Sequence, residues 1–508
     1  MATTQHAKRS SRSPLGKRRS PTESARPAAR SVNGKSVNAW QDDPISGLPT
    51  LGRKVPNLSV SPLRYRFKGA TPPAGAYPTG TRGFRYWTAA EALRRGADFW
   101  APILGVKRWQ PGAVLKVGLD EGVDLNAYYD RSELAFFHDT AGGKTIFSGE
   151  SPDVVCHEMG HACLDAHRPE LWDAPYVEAG AFHESFGDMS AMLSALQLTT
   201  VRHAALSGVA AHKSSPLSRL AEQLGWAIRQ TAPTQVNRNC LRDACNSFKY
   251  VNPATLPDSA PASRLCAEVH SFSRVFTGAF YEILGGMVRA RSKKPKEADL
   301  AAAAADAARL LLDATAAAPI QPAYFAQVAA HMVDADTVRF GGKYRSVLAD
   351  TFVRRKMLSP ASVKPMLAFK GRIPREAMGL LGAAAARPAT PEIHKVRLSG
   401  AEFGLADQPL IVHAPVEHKP FVAVSAALSH RPRDVMPDVE QATHRFVRML
   451  FAHDRVESAP GAKRRGIARG VEPRARRRTH VLIPSPEGLR LVRRQFDCSC
   501  GCTIAEPR

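Results

Sequence analysis

The sequence predicts an α+β fold: a mixed α+β amino-terminal lobe, an all-helical second lobe and a small extra α+β domain at the C-terminal end. Three observations carry this. Strand-like apolar runs cluster before residue 150, helical apolar spacing dominates from 152 to 357, and short apolar runs return after 396. With 508 residues, 44% hydrophobic and 23% charged, the chain can bury a large core, which excludes disorder throughout. No apolar run reaches 18 residues, so no transmembrane segment is expected.

Residues 1–60 are rich in Ser, Arg, Pro and Lys and read as a basic disordered tail. The first lobe, 61–170, begins near Leu63–Phe67 and holds the amphipathic helix Thr88–Leu104, its apolar residues at Ala89, Leu93, Ala97, Phe99 and Ile103. Strands are expected at Ala113–Leu119 and Glu133–Phe137, and a helix at Val154–His167 behind the start signal Pro152-Asp153. The second lobe, 171–358, has helices at Ala179–Gln197, His270–Val288, 298–318, 322–335 and 343–357, with mixed loops and short helices over 201–260. Pro319, Gly341-Gly342 and Pro360 end the last three. An Ala/Pro/Gly linker spans 359–395. The domain 396–508 holds apolar runs at Pro409–His413 and Phe421–Val424, a helix near Asp438–Phe451, a strand at Thr479–Ile483 and a Cys-rich tail.

The net charge of +24 is concentrated at the ends: residues 1–35 carry +8 and residues 461–494 carry +9. Lys463-Arg464-Arg465 and Arg474, Arg476, Arg477 and Arg478 allow weak contact with a polyanion, and a nucleic-acid-binding protein with a non-catalytic metal site is an alternative reading. These runs lack interleaved aromatics, as solvated tails do. No apolar stretch follows the basic N-terminus, so the expected location is cytoplasmic with reduced thiols. Cys498, Cys500 and Cys502 make a poor tetrahedral site by themselves and read as a loose, reactive tail.

The chemistry centres on His157-Glu158-Met159-Gly160-His161. Histidines four apart share one helix face and can hold one metal ion, with Glu158 beside them. Zinc (Zn2+) suits nitrogen and oxygen ligands with an open fourth position. Two residues compete as the third ligand. His167 is ten residues after His157, but reaching back requires a sharp turn where this chain has Leu164 rather than Gly. Glu184 sits on the next helix with Asp188 one turn on, where Asp188 can accept the spare N–H of a ligand histidine and fix its tautomer.

These residues resemble the thermolysin-like neutral proteases, the gluzincins. Asp153-Val154-Val155-Cys156-His157-Glu158 is similar to the family's approach to its HExxH helix. Gly180-Ala181-Phe182-His183-Glu184-Ser185-Phe186-Gly187-Asp188 is similar to its third-ligand helix, with His183 in place of the usual Asn and Ser185 in place of Ala. Leu125-Asn126-Ala127-Tyr128-Tyr129 resembles the edge strand that binds substrate backbone. Val269-His270 resembles the segment with a second active-site histidine, and Leu241-Arg242 that with a substrate-binding arginine. The resemblance spans about residues 65–357.

The resemblance implies a zinc metalloendopeptidase acting on a peptide or protein substrate. His157, His161 and Glu184 would hold zinc and Glu158 would be the general base. His270, with Tyr176, would stabilise the oxyanion. Asn126 and Ala127 would hold the substrate backbone, Arg242 would grip a carbonyl, and Val154 and Leu241 would line an apolar pocket after the scissile bond. Tyr176 lies one residue closer to Glu184 than the family's tyrosine does. Ala195 stands where the family has a calcium-binding carboxylate, so the double calcium site is not expected.

Overall fold

The computed structural model describes residues 36–60, 63–368, 391–405, 408–417, 438–457 and 478–498. Within them the chain is α+β. Order begins earlier than the composition of the first 60 residues suggests. Strands β1 (Ser36–Ala39) and β2 (Leu51–Lys54) form an antiparallel pair. Val37 and Ala39 alternate inward. The side chain of Asn38 exchanges two hydrogen bonds with the backbone of Tyr77, at 2.8 and 2.7 Å. The part of the expected tail before Ser36 lies outside the described residues.

The first sheet contains β3 (Arg64–Phe67), β4 (Val114–Gly118), β5 (Ala127–Tyr129) and β6 (Glu133–Phe136). β3, β4 and β6 run parallel, and β5 pairs antiparallel with β6. The helix α1 (Arg82–Leu104) separates β3 from β4. A hairpin of β7 (His138–Ala141) and β8 (Lys144–Phe147) then leads into α2 (Pro152–His167). Pro152 in the first turn needs no N–H partner, and Asp153 faces the positive helix end. The helix α3 (Val177–Ala195) is buried along its whole length, as is nearly all of α2. A helix buried on every side belongs in the centre of a layered fold.

The two helices meet at glycines. A Cβ on Gly160 would come within 2.7 Å of Ser190 Oγ, and one on Gly187 would come within 2.6 Å of the His157 ring. Both positions must lack a side chain for the helices to approach this closely. Buried Asp165 ties α2 to the sheet: its Oδ2 accepts from the Tyr129 hydroxyl at 2.9 Å, and its Oδ1 pairs with Arg131 at 2.6 Å. This fixes β5 against the helix that carries the His-Glu motif.

Residues 171–358 are not all-helical as expected: after α4 (Thr199–Ala211) the short antiparallel pair β9 (Arg219–Leu220) and β10 (Arg242–Asp243) lies on either side of α5 (Glu222–Arg229), and α6 (Val269–Arg291), α7 (Glu297–Ala317), α8 (Tyr324–Phe340), α9 (Arg345–Arg354) and α10 (Pro360–Ala368) follow. Among the described residues, none of these helices is long and apolar enough to cross a membrane.

The C-terminal region forms a second sheet, ordered β11 (Glu392–Leu398), β12 (Leu410–Val416), β15 (Gly488–Arg493), β14 (His480–Ser485), β13 (Val456–Glu457), with a helix at Val439–Ala452. The run Phe421–Val424 and the basic residues 463–477 lie outside the described residues. This sheet is not a detached module, since its apolar residues belong to the same core as α2 and α3. The last strand, β16 (Phe496–Asp497), leaves it and pairs antiparallel with β5, closing the edge of the first sheet.

A fully buried ion pair holds the two regions together: Arg168 Nη2 donates to both Glu417 oxygens at 2.7 and 2.6 Å. Removing one partner strands the other charge. Arg168→Met is expected to lower whole-chain stability by ~3–5 kcal/mol, and Arg168→Met with Glu417→Leu to recover most of it. Urea unfolding midpoints check both.

Three buried carboxyls, Asp42, Asp43 and Asp153, meet at the start of α2. Burial raises all three, Asp43 to about 7, although Asp43 accepts from Ser151 and from the Ile45 and Gln223 N–H groups. The folded chain holds these protons more tightly than the unfolded chain. Their contribution is therefore greatest at low pH and is lost as pH rises from about 4 towards about 7. Asp42→Asn, which supplies an N–H to Asp153, is expected to shrink the loss of melting temperature between pH 5 and pH 8 relative to the parent chain.

Candidate metal centre

The side chains of α2 and α3 converge at one point. His157, His161 and Glu184 each offer a ligand atom, all within 4.8 Å of one another and all buried. His157 Nε2 lies 3.4 Å from Glu184 Oε2, and His161 Nε2 lies 3.7 Å from Glu184 Oε1. Neither contact is aimed as a hydrogen bond, and His157 Nε2, His161 Nε2 and Glu184 Oε2 have no hydrogen-bond partner among the described residues. Buried polar atoms left in this way are costly unless something else satisfies them. A divalent cation would do so for all three, and these nitrogen and oxygen donors are a set that zinc accepts.

The surrounding contacts orient the ligands. His157 Nδ1 lies 3.1 Å from Asp188 Oδ1, which points Nε2 at the cluster. Asp188 is in turn gripped by Arg242 through Nε at 3.2 Å and Nη2 at 2.9 Å, and accepts from Thr277 at 3.3 Å. Burial raises the Asp188 carboxyl, but Arg242 and His157 outweigh it and hold it down at about 2. His161 Nδ1 contacts His183 Nδ1 at 3.3 Å. His183 thus does for His161 what Asp188 does for His157. Its place directly before Glu184 was the signal available in the sequence.

Glu158 is fully buried, and neither of its oxygens has a hydrogen-bond partner among the described residues. Burial first, and then the nearby Glu184, raise it to about 8. A bound cation would favour its charged form and lower it again. For His157 burial acts downward, but the Asp188 and Glu184 carboxylates raise it to about 9; burial lowers His161 to about 3.

His270 caps the opposite side. Its Nε2 is 3.2 Å from Glu184 Oε2 and 2.7 Å from the Asp497 carbonyl oxygen, and its Nδ1 is 2.6 Å from Glu268 Oε1. Burial acts against its charge, yet Glu184 and Glu268 raise it well above the ordinary histidine value. With acceptors at both ring nitrogens, the Glu268 carboxylate at Nδ1 and the Asp497 carbonyl at Nε2, the surroundings favour the doubly protonated ring, a hydrogen-bond donor. Glu268 was not anticipated. It is the N-cap of α6, accepting from the Ser271 N–H at 3.0 Å, and a carboxylate two residues before His270 was its only sequence trace.

The remaining expected residues fall as follows. The Ala127 N–H donates to Asn126 Oδ1 at 2.9 Å, and Ala127 opens β5. Leu241 and Arg242 line a small cavity with Glu268 and His270, and Val154 is buried in the core on α2. Two of the Arg242 nitrogens serve Asp188, because a buried carboxylate beside His157 needs a cation partner. The Tyr176 hydroxyl donates to the Pro415 carbonyl at 3.1 Å, since the C-terminal sheet covers the start of α3. His167 Nε2 turns to the Leu312 carbonyl at 3.1 Å on α7, away from the cluster. Cys156 and Cys163 are buried thiols of the core.

The C-terminal tail is not loose where it is described. Phe496 stacks on His183 and His161 at centroid distances of 4.0 and 5.0 Å, under the Arg493 guanidinium at 4.1 Å. Asp497 pairs with buried Arg455 at 2.7 Å. The Cys498 N–H donates to the Ala127 carbonyl at 2.9 Å, and its thiol joins His157 and Glu158 in a second group of potential ligands within 4.8 Å. Cys500 and Cys502 lie outside the described residues. Beside Glu184 and His270 about 20 Å³ remains, room for about one water. A larger cavity of about 810 Å³ lies between β2 and α1. Its charges pair with each other, Arg53 with Glu91 at 3.0 Å and Arg94 with Asp98 at 2.8 Å.

No protein-family model matches this chain, and no curated protein matches it.

Proposed function

We propose that this chain is a zinc-dependent endopeptidase of the thermolysin-like kind, hydrolysing peptide bonds with a preference for an apolar residue after the scissile bond. The observation that carries the reading is the convergence of three buried ligand atoms without hydrogen-bond partners, with Glu158 beside them. A purely structural zinc site uses all four positions for protein ligands and needs no such carboxylate.

When bound, zinc supplies Lewis acidity and a more acidic water nucleophile. Glu158 takes the proton of the attacking water and passes it to the leaving amine. His270, held as an imidazolium by Glu268, donates to the oxygen that gains charge. With β16 displaced, the edge of β5 that it now occupies holds the substrate as an added antiparallel strand. Asp188 and Arg242 position His157. The orientation of His167 towards α7 gives the metzincin-like alternative no support.

The test is hydrolysis of a mixed peptide substrate by the full chain and by its Cys498→Ser variant, since the tail lies along β5. New amino termini that vanish with a chelator and return with zinc are expected. A zinc-loaded chain that makes none in either form contradicts the proposal.

A further inference from the structure

The tail reproduces what an inhibitor of this site would do. Its backbone pairs with β5 in antiparallel register, Phe496 opposite Tyr129 and Asp497 opposite Tyr128. Its Asp497 carbonyl takes the hydrogen bond of His270 at 2.7 Å, Phe496 covers the His161 and His183 rings, and Cys498 arrives beside His157 and Glu158. Four contacts of different kinds therefore fall on the groups assigned to substrate and metal. A buried cysteine in an apolar core would need none of them.

We propose that Arg493–Cys498 is a built-in pseudosubstrate and that the Cys498 thiolate is the fourth ligand of the metal held by His157, His161 and Glu184, keeping the site latent until the tail is displaced. This rests on the metal-site reading above. The two ligand groups share His157, one with His161 and Glu184 and the other with Glu158 and Cys498, so the sulfur lies on the Glu158 side, where the attacking water must sit. Binding draws the Cys498 sulfur, and not Glu158, onto the ion of the first group. The thiol loses its proton as sulfur coordinates, and the Glu158 carboxylate in the same group can accept it. Displacement reverses this: the sulfur regains a proton and leaves the fourth position open. Arg455 on Asp497 and Arg493 on Phe496 hold the tail in place, so release requires the C-terminal sheet to yield as well.

X-ray absorption at the zinc edge on the zinc-loaded full chain tests the ligand directly. One sulfur at ~2.3 Å with nitrogen and oxygen ligands at ~2.0–2.2 Å is expected. Cys498→Ser should lose the sulfur shell and keep zinc. A shell of nitrogen and oxygen alone in the parent chain overturns the inference, as does a sulfur shell that persists in Cys498→Ser. Failure of both forms to bind zinc is a different result, and it removes the metal-site reading too. The parent spectrum decides the ligand even where the variant does not fold. Access to the site scales with the fraction of molecules whose tail is displaced, so Cys498→Ser is expected to raise peptide hydrolysis ~10-fold or more. An unchanged rate in a folded, zinc-loaded variant overturns the latency.

Discussion

Glu158→Gln is expected to lower peptide hydrolysis by ~10²–10⁴-fold while leaving zinc bound. The substitution keeps the shape of a side chain that makes no hydrogen bond among the described residues, so the fold loses little. What disappears is the ability to take a proton from water and return it to the amine. Gln also removes a buried carboxyl that burial raises to about 8. The variant is therefore expected to be at least as stable as the parent near neutral pH, where the folded parent must hold a proton that its unfolded chain has released. Rate and zinc content measured on one preparation separate the two effects, and a variant that hydrolyses at the parent rate removes Glu158 from the mechanism.

Glu184→Ala is expected to abolish tight zinc binding, a larger effect than the ~10–100-fold loss expected for the supporting substitution Asp188→Asn. Stability reports it without an activity assay. Zinc at ~100 times its dissociation constant stabilises the parent by ~2.7 kcal/mol, and Glu184→Ala should show almost none of that shift. The metal-free variant should itself be less stable, because Glu184 lies against the His157 and His270 rings at 3.4 and 3.2 Å and its loss leaves buried imidazolium charge with fewer anions. His167→Ala should retain the full zinc-dependent shift, its Nε2 being held by Leu312. The opposite pattern would move the third ligand from α3 to the end of α2.

What the sequence disclosed follows the range of the interactions. Helices α2 and α3 were legible to within about two residues, because Pro152-Asp153 marks a start and apolar spacing reports a local period. The facing of His157 with His161, and of Glu184 with Asp188, follows from the helical repeat alone. The roles of Arg242 and Tyr176 did not, since each depends on a partner distant in sequence: Asp188 for one and Pro415 for the other. The strand β16 was missed for a related reason. Two residues carry no readable alternation, and their pairing with β5 bridges more than 360 positions of chain. Order over residues 36–60 was hidden by composition: the Ser, Arg, Pro and Lys content reads as a tail, and buried Asp42 and Asp43 show their place only with Ser151 and Asp153 against them.

The central claim is that one ion joins two imidazoles of α2 to a carboxylate of α3. Anomalous diffraction at the zinc edge from crystals of the zinc-loaded chain measures this directly. One peak is expected at ~2.0–2.2 Å from His157 Nε2, His161 Nε2 and a Glu184 oxygen. A peak that omits Glu184, or zinc found only elsewhere on the chain, would contradict it.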